Sequence, residues 1–153
     1  MTSFLVAVRV TIRHGQLPAK GLRANVSHRI LIVDDSPVIR RSLRSCIEQN
    51  TESEVCGEAE NGAIAVERVL QLKPDLVILD LQMPTMDGFE AARRIRRLTP
   101  ETVLVMFTMY ECRQVLEDAR AAGIEVIFSK SDSGPDRLVT YLKSLLPSAS
   151  APA

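Results

Sequence analysis

Five residues of this 153-residue chain stand where they could do chemistry together, each at the carboxyl end of a short apolar run. Asp34 and Asp35 follow ILIV, Asp80 follows LVIL, Thr108 ends TVLVMF, and Lys130 comes just after EVIF. Each has a plain structural reading on its own. Asp34 or Asp35 could cap the helix that begins at Pro37, Asp80 could form an Asx turn before Met-Pro, Thr108 could simply end a strand, and Lys130 could be a solvated charge. Together they are harder to set aside. Three carboxylates brought within a few ångströms repel one another, and burial raises their pKa values above about 3.9 unless a cation is present. Mg²⁺ suits such a set, because it takes oxygen ligands and keeps water and phosphate oxygens in its remaining positions. A carboxylate nucleophile, a screening cation, a hydroxyl and a fixed ammonium are the parts of a phosphoryl-transfer site.

These residues meet only if the runs before them lie side by side in one direction. The runs are ILIV (30–33), EVCGEA (54–59), LVIL (76–79), TVLVMF (102–107) and EVIF (125–128), and stretches of helical period follow each one. The expected helices are 37–49, with Ser36 placed to cap and Pro37 at the first position, then 63–72, 89–98, 112–122 and 136–146. Five strand–helix units in succession predict an α/β fold, a doubly wound five-stranded parallel sheet covered on both faces. The near-continuous apolar strands agree. Ligands of such sheets bind outside the carboxyl ends of the strands, which is where all five residues stand.

Composition narrows the function further. One domain is expected at this length, and 46% hydrophobic residues suffice for a core built from aliphatic side chains, since only 4% are aromatic. Formal net charge is zero, yet residues 1–28 hold Arg9, Arg13, Lys20 and Arg23 with no acid, so the remainder carries −4. A mildly acidic domain argues against a nucleic-acid surface. Cys46, Cys56 and Cys112 lack disulfide or zinc spacing and are expected to be small buried hydrophobes. His14 and His28 have no partner at ligand spacing. No apolar run reaches the roughly 20 residues that cross a bilayer, so no membrane role and a cytoplasmic location are expected. Residues 1–28 read as a flexible or accessory leader, 29–147 as the domain, and 148–153 as a flexible tail.

The segments ILIVDDSPVIRRSL, DLVILDLQMPTMDGFE, VLVMFTM and VIFSKSD, in this order and spacing, resemble the receiver domains of bacterial response regulators, the CheY-like (βα)5 fold. The pattern also resembles receivers of the NarL/LuxR-type regulators. The strand order 2-1-3-4-5 is implied by this resemblance, the sequence rhythm alone supporting only the parallel α/β class. Carried over to this chain, the resemblance makes Asp80 the phosphoacceptor for a sensor histidine kinase or phosphotransfer protein. Asp35, Asp80 and the main-chain carbonyl of Gln82 would bind Mg²⁺, with Asp34 acting through water. Thr108 and Lys130 would bind phosphoryl oxygens, and Pro84, Asp87 and Gly88 would shape the following loop. A receiver of this kind is not an enzyme beyond promoting its own phosphorylation and dephosphorylation.

The pattern departs from the family at two places. Ile127 stands three residues before Lys130, where receivers usually carry the Tyr or Phe that swings inward on activation; Phe128 is expected on the opposite face. Ser131 stands where many receivers have Pro after the Lys, so a trans bond is expected there. Beside the site, Gln82 and Tyr110 are placed to reach over the phosphate and slow its hydrolysis, and Met109 to narrow access for small donors. The expected output is protein contact through the fourth helix, fifth strand and fifth helix, compatible with a phosphorylation-dependent homodimer. The alternative is a receiver within a longer DNA-binding transcription regulator. An aspartate-nucleophile phosphatase would need a second Asp as general acid two residues after the first, and Gln82 occupies that place.

Overall fold

The computed structural model describes residues 27–130 and 134–145. The expectations for the leader up to residue 26, the Lys130–Ser131 bond and the tail fall outside the described residues. The five apolar runs form strands β1 (Arg29–Val33), β2 (Glu54–Ala59), β3 (Leu76–Leu79), β4 (Val103–Thr108) and β5 (Val126–Ser129). The periodic stretches form helices α1 (Pro37–Asn50), α2 (Gly62–Leu72), α3 (Gly88–Leu98), α4 (Arg113–Ala121) and α5 (Gly134–Leu145). All the strand pairs are parallel and the order is β2-β1-β3-β4-β5.

Alternating side chains divide the strands between two cores. Leu31, Val33, Val77, Leu79, Leu104, Met106 and Ile127 pack under α2, α3 and α4 with Val69, Ala91, Ile95 and Ala119. Ile30, Ile32, Ile78, Val105, Phe107 and Phe128 pack on the other face with Leu43 and Ile47 of α1 and Leu138 and Leu142 of α5. Phe128 therefore lies opposite Ile127, as the alternation predicts, and its ring packs on Tyr141 with centroids 5.4 Å apart.

Some boundaries differ from those read in the sequence. β4 and β5 each start and end one residue later than their apolar runs, because Thr108 still pairs with Ser129 in the ladder. Thr102 is instead drawn into the turn after α3, where its N–H donates to the carbonyl of Thr99. α5 begins two residues early, with Pro135 in its first turn, where a missing N–H costs nothing. Ser36 caps α1 as expected, accepting from the N–H of Ile39. Ser27 and His28 already touch the domain: the Ser27 hydroxyl donates to the carbonyl of Glu52, and His28 Nδ1 lies 4.0 Å from Asp75.

The cysteines correct an expectation, since Cys46 and Cys56 are only half-buried and Cys112 is exposed. Cys112 stands at the N-cap of α4 and bonds nothing there through its side chain. Cys56 falls at the irregularity in the β1–β2 register, which pairs Ile30 with Val55 and Leu31 with Gly57. Its thiol donates to the carbonyl of Ile30 at 3.4 Å.

Packing is tightest behind the loop from β3 to α3. A Cβ on Gly88 would stand 2.2 Å from the carbonyl oxygen of Asp80 and 3.1 Å from Cα of Leu81. On the loop's other side the N–H of Gly62 donates to the carbonyl of Met86 at 3.0 Å, and a Cβ there would meet that oxygen at 2.6 Å. Gly88→Ala is accordingly expected to destabilise the protein by roughly 1–3 kcal/mol, the usual cost of overpacking. Denaturant titration measures this, and an unchanged midpoint would contradict it.

Candidate functional site

The backbone delivers the acidic groups. The sheet ladder runs one residue past the strands, with Asp34 N–H donating to the carbonyl of Ala59 and Asp80 N–H to the carbonyl of Val33. Both residues are thereby held at the sheet's carboxyl edge and are buried, at 2% and 6% exposure. Asp35, one residue further on, is exposed. Carboxylate oxygens of Asp34, Asp35 and Asp80 lie within 4.8 Å of one another. None of the three is the cap of α1. Asp34 Oδ1 instead accepts from the Ser36 N–H at 2.8 Å, turning the chain into the helix, and its carbonyl accepts from Arg40 at 2.6 Å.

Lys130 reaches this cluster from β5, 96 residues away in the chain. Its Nζ is 2.5 Å from Asp34 Oδ2 and 3.0 Å from Asp80 Oδ2, and lies 6.0 Å from the centroid of the Phe107 ring. The Lys130 N–H donates to the carbonyl of Thr108, so the ladder also fixes this side chain's origin. Burial disfavours the ammonium, but the bonds to Asp34 and Asp80 outweigh it and raise its pKa. Burial likewise pushes the Asp80 carboxyl up. The hydrogen bond from Lys130 opposes this, the charge of Asp34 adds to it, and Oδ1 accepts from the Leu81 N–H at 2.8 Å.

Thr108 is fully buried at the end of β4, beside β3, and its Oγ1 accepts from the Tyr110 N–H at 3.2 Å. Accepting leaves the hydroxyl proton available for another oxygen. The Tyr110 hydroxyl donates to Gln82 Oε1 at 2.8 Å, a link across the mouth of the site between the segments that follow β4 and β3. Sequence reasoning placed both residues near the phosphate without finding this bond, which requires two loops to face each other. It also missed Arg40, whose position one turn into α1 gives no sign that it grips the Asp34 carbonyl. Asp87 caps α3 by accepting from the Glu90 N–H at 2.9 Å, and Thr85 adopts a positive φ of 69° in the turn before it.

Three carboxylates against one ammonium leave a formal charge of −2. An all-oxygen donor set with one exposed member is suited to a divalent cation that retains water and ligand positions. Without such a cation, desolvation first and the charge of Asp34 second disfavour an ionised Asp80, against the bond from Lys130. Because folding raises the pKa of Asp80, its contribution to stability is greatest below its unfolded pKa, where it is protonated, and is lost as pH rises through the folded value. Asp80→Asn in metal-free buffer is expected to raise the melting temperature at pH 7, with the gain shrinking as pH falls toward about 4. Melting curves across that range check the sign; a lower melting temperature at pH 7 would show that the Lys130 bond outweighs the cost of burying the charge.

Comparison with known proteins gives one family. The model of the response regulator receiver domain matches residues 30–143. Among curated proteins, a protein-glutamate methylesterase/protein-glutamine glutaminase of Alkalilimnicola ehrlichii is 43% identical over 96 residues, covering 62% of this chain and 25% of that protein. The uncharacterized transcriptional regulatory protein YhcZ of Bacillus subtilis is 35% identical over 111 residues, covering 72% of this chain and 51% of that one. The chain thus spans about half or less of the length of these relatives. Among solved structures, a LuxR-family two-component response regulator from Aurantimonas superposes with a TM-score of 0.74 at 31% identity, covering 79% of this chain and 86% of that one. The response regulator domain of Thermotoga maritima CheB gives 0.73 at 27%, covering 79% and 97%.

Proposed function

Since the chain belongs to the response regulator receiver domain family, we propose that Asp80 is the phosphoacceptor of a two-component phosphorelay. The observation that carries this reading is the meeting of Asp34, Asp35 and Asp80 within 4.8 Å, with Lys130 bonded to the two buried members. A receiver is a module that accepts a phosphoryl group and is not an independent enzyme. An Asp80 carboxylate oxygen attacks the phosphorus of a phosphohistidine on a sensor kinase or phosphotransfer protein, the P–N bond breaks, and the imidazole leaves with the bonding pair. The product is an aspartyl phosphate.

The donor set fits Mg²⁺, which Asp35, Asp80 and the main-chain carbonyl of Gln82 would hold, with Asp34 acting through water. Bound there, the ion supplies positive charge that offsets repulsion between the carboxylate and the incoming phosphoryl oxygens. Lys130 holds a second positive charge at the same place, and its raised pKa keeps it protonated at neutral pH. Thr108 donates its free hydroxyl proton to a phosphoryl oxygen after transfer. These roles assign Asp80, Thr108 and Lys130 to the reaction and leave Gly88 and Asp87 to hold the loop.

The output is protein contact through α4, β5 and α5, including a phosphorylation-dependent homodimer, and the location is the cytoplasm. Among the described residues no helix is long and apolar enough to cross a membrane. Ile127, buried between β5 and the α4 side of the sheet, has no ring to swing toward Thr108, so the readout rests on aliphatic repacking. A second reading is supported by the relatives' lengths and names: the receiver is the control module of a longer transcription regulator.

Acetyl phosphate with Mg²⁺ is expected to add one phosphoryl group to the native protein and none to Asp80→Asn. Intact mass reads the difference, and equal labelling of the two would overturn the assignment. The bond between Tyr110 and Gln82 supports slow hydrolysis of the phosphoprotein, because it restricts the approach of water. Gln82→Ala and Tyr110→Ala are each expected to shorten the phosphoprotein lifetime about threefold or more, a barrier change of roughly 0.7 kcal/mol. Lifetimes equal to that of the native protein would remove the shield from the account.

A further inference from the structure

The opposite edge of the sheet carries a second concentration of charge. α3 has the sequence GFEAARRIRRL, four arginines against one glutamate. Three of them, Arg93, Arg96 and Arg97, join Arg120 from the last turn of α4 around an open groove of about 350 Å³, floored by Ala121, Ala122 and Gly123. Both helices run back from the carboxyl edge, so the groove lies about 15 Å or more from the aspartates, the length of an 11-residue helix.

The arginines are not equivalent. Arg96 is part of the frame: its two terminal nitrogens donate to the carbonyls of Pro100 and Gly123, each at 2.6 Å, and its charge also acts on Glu125. Arg93 shares Glu90 with Arg94. Arg97 only touches the carbonyl of Arg93, at 3.4 Å. Among the described residues neither Arg97 nor Arg120 has a carboxylate within ion-pair distance, and both are exposed.

A cation near a helix C-terminus complements the dipole, and Arg96 and Arg97 stand in the last turn of α3 and Arg120 in that of α4. The dipoles account for single cations at each helix end but not for the convergence of Arg93, Arg97 and Arg120 on one hollow, which like-charge repulsion opposes. A multiply charged anion reverses the sign. Guanidinium groups match phosphate oxygens in planar, paired hydrogen bonds. The volume lies at the lower end of small-ligand pockets, about 300–1,000 Å³, and exceeds what a single phosphate needs. Small side chains on the floor let a ligand approach the backbone.

We propose that this groove binds an oligophosphate anion, either a free inorganic chain or the polyphosphate tail of a nucleotide, through Arg93, Arg97 and Arg120. The full chain is titrated calorimetrically with inorganic tripolyphosphate and, separately, with ATP, in EDTA so that metal at the aspartates plays no part. Saturable one-to-one binding is expected, weakened at least tenfold in Arg97→Ala/Arg120→Ala and unchanged in Arg113→Ala, which alters an exposed arginine of α4 paired with Glu117 outside the groove. ATP binding tenfold tighter than tripolyphosphate identifies a nucleotide, and equal binding identifies the inorganic chain. The proposal is overturned by the absence of saturable binding, by undiminished binding in the double variant, or by an equal loss in Arg113→Ala. Duplex DNA or anionic vesicles captured by these arginines without any response to tripolyphosphate would overturn it as well. Melting curves confirm that the exposed substitutions leave the fold intact.

Discussion

Two carboxylates that the sheet buries at one edge share a single ammonium, and the rest of the site is arranged around that sharing. Lys130 Nζ bonds Asp34 and Asp80 together. Their attraction must offset the desolvation of three ions, and losing the shared ammonium, which leaves two buried carboxylates uncompensated, typically costs about 3–5 kcal/mol. The bond also joins the ends of β1 and β5 across the two strands between them, β3 and β4. A carboxyl edge that puts β1, β3 and β5 within reach of one lysine side chain requires every strand between them to be present and in register.

The same edge assigns different work to adjacent residues. Asp34 is held by the ladder, buried, and occupied by Ser36 and Lys130. Asp35 follows it at the bend that leads into α1, and is exposed. One carboxylate then organises the buried charges, and its neighbour keeps the open positions that a hydrated cation needs. Neither property belongs to aspartate as a residue type; both come from a step of one residue where the chain leaves the sheet.

The fold was legible because its strands are unbroken apolar runs with capping residues or Pro and Gly between them, and β2 and β3 match their runs end to end. The cluster was legible for the same reason, as a residue just past a parallel strand has only one edge on which to lie. What stayed hidden depends on meetings between loops and helices distant in the chain. The Tyr110–Gln82 bond, the grip of Arg40 on Asp34 and the arginines facing each other from α3 and α4 leave no periodicity in the sequence. Cys56 misled for a related reason: at the β1–β2 irregularity neither side of the strand buries its side chain fully.

Gly88 and Gly62 give the two banks of the site different mechanical characters. The β3–α3 loop is gripped by backbone on both sides, at the Asp80 carbonyl and at the Met86 carbonyl. It is a fixed jaw, without slack to transmit. The segment after β4 is tied through the Thr108 hydroxyl and the Tyr110 phenol, and its Met109 and Tyr110 stand exposed. The Asp80 carboxylate thus has a backbone-packed loop on one side and, on the other, a segment held by side-chain hydrogen bonds. The asymmetry between the two banks comes from where two side chains are missing, at Gly62 and Gly88.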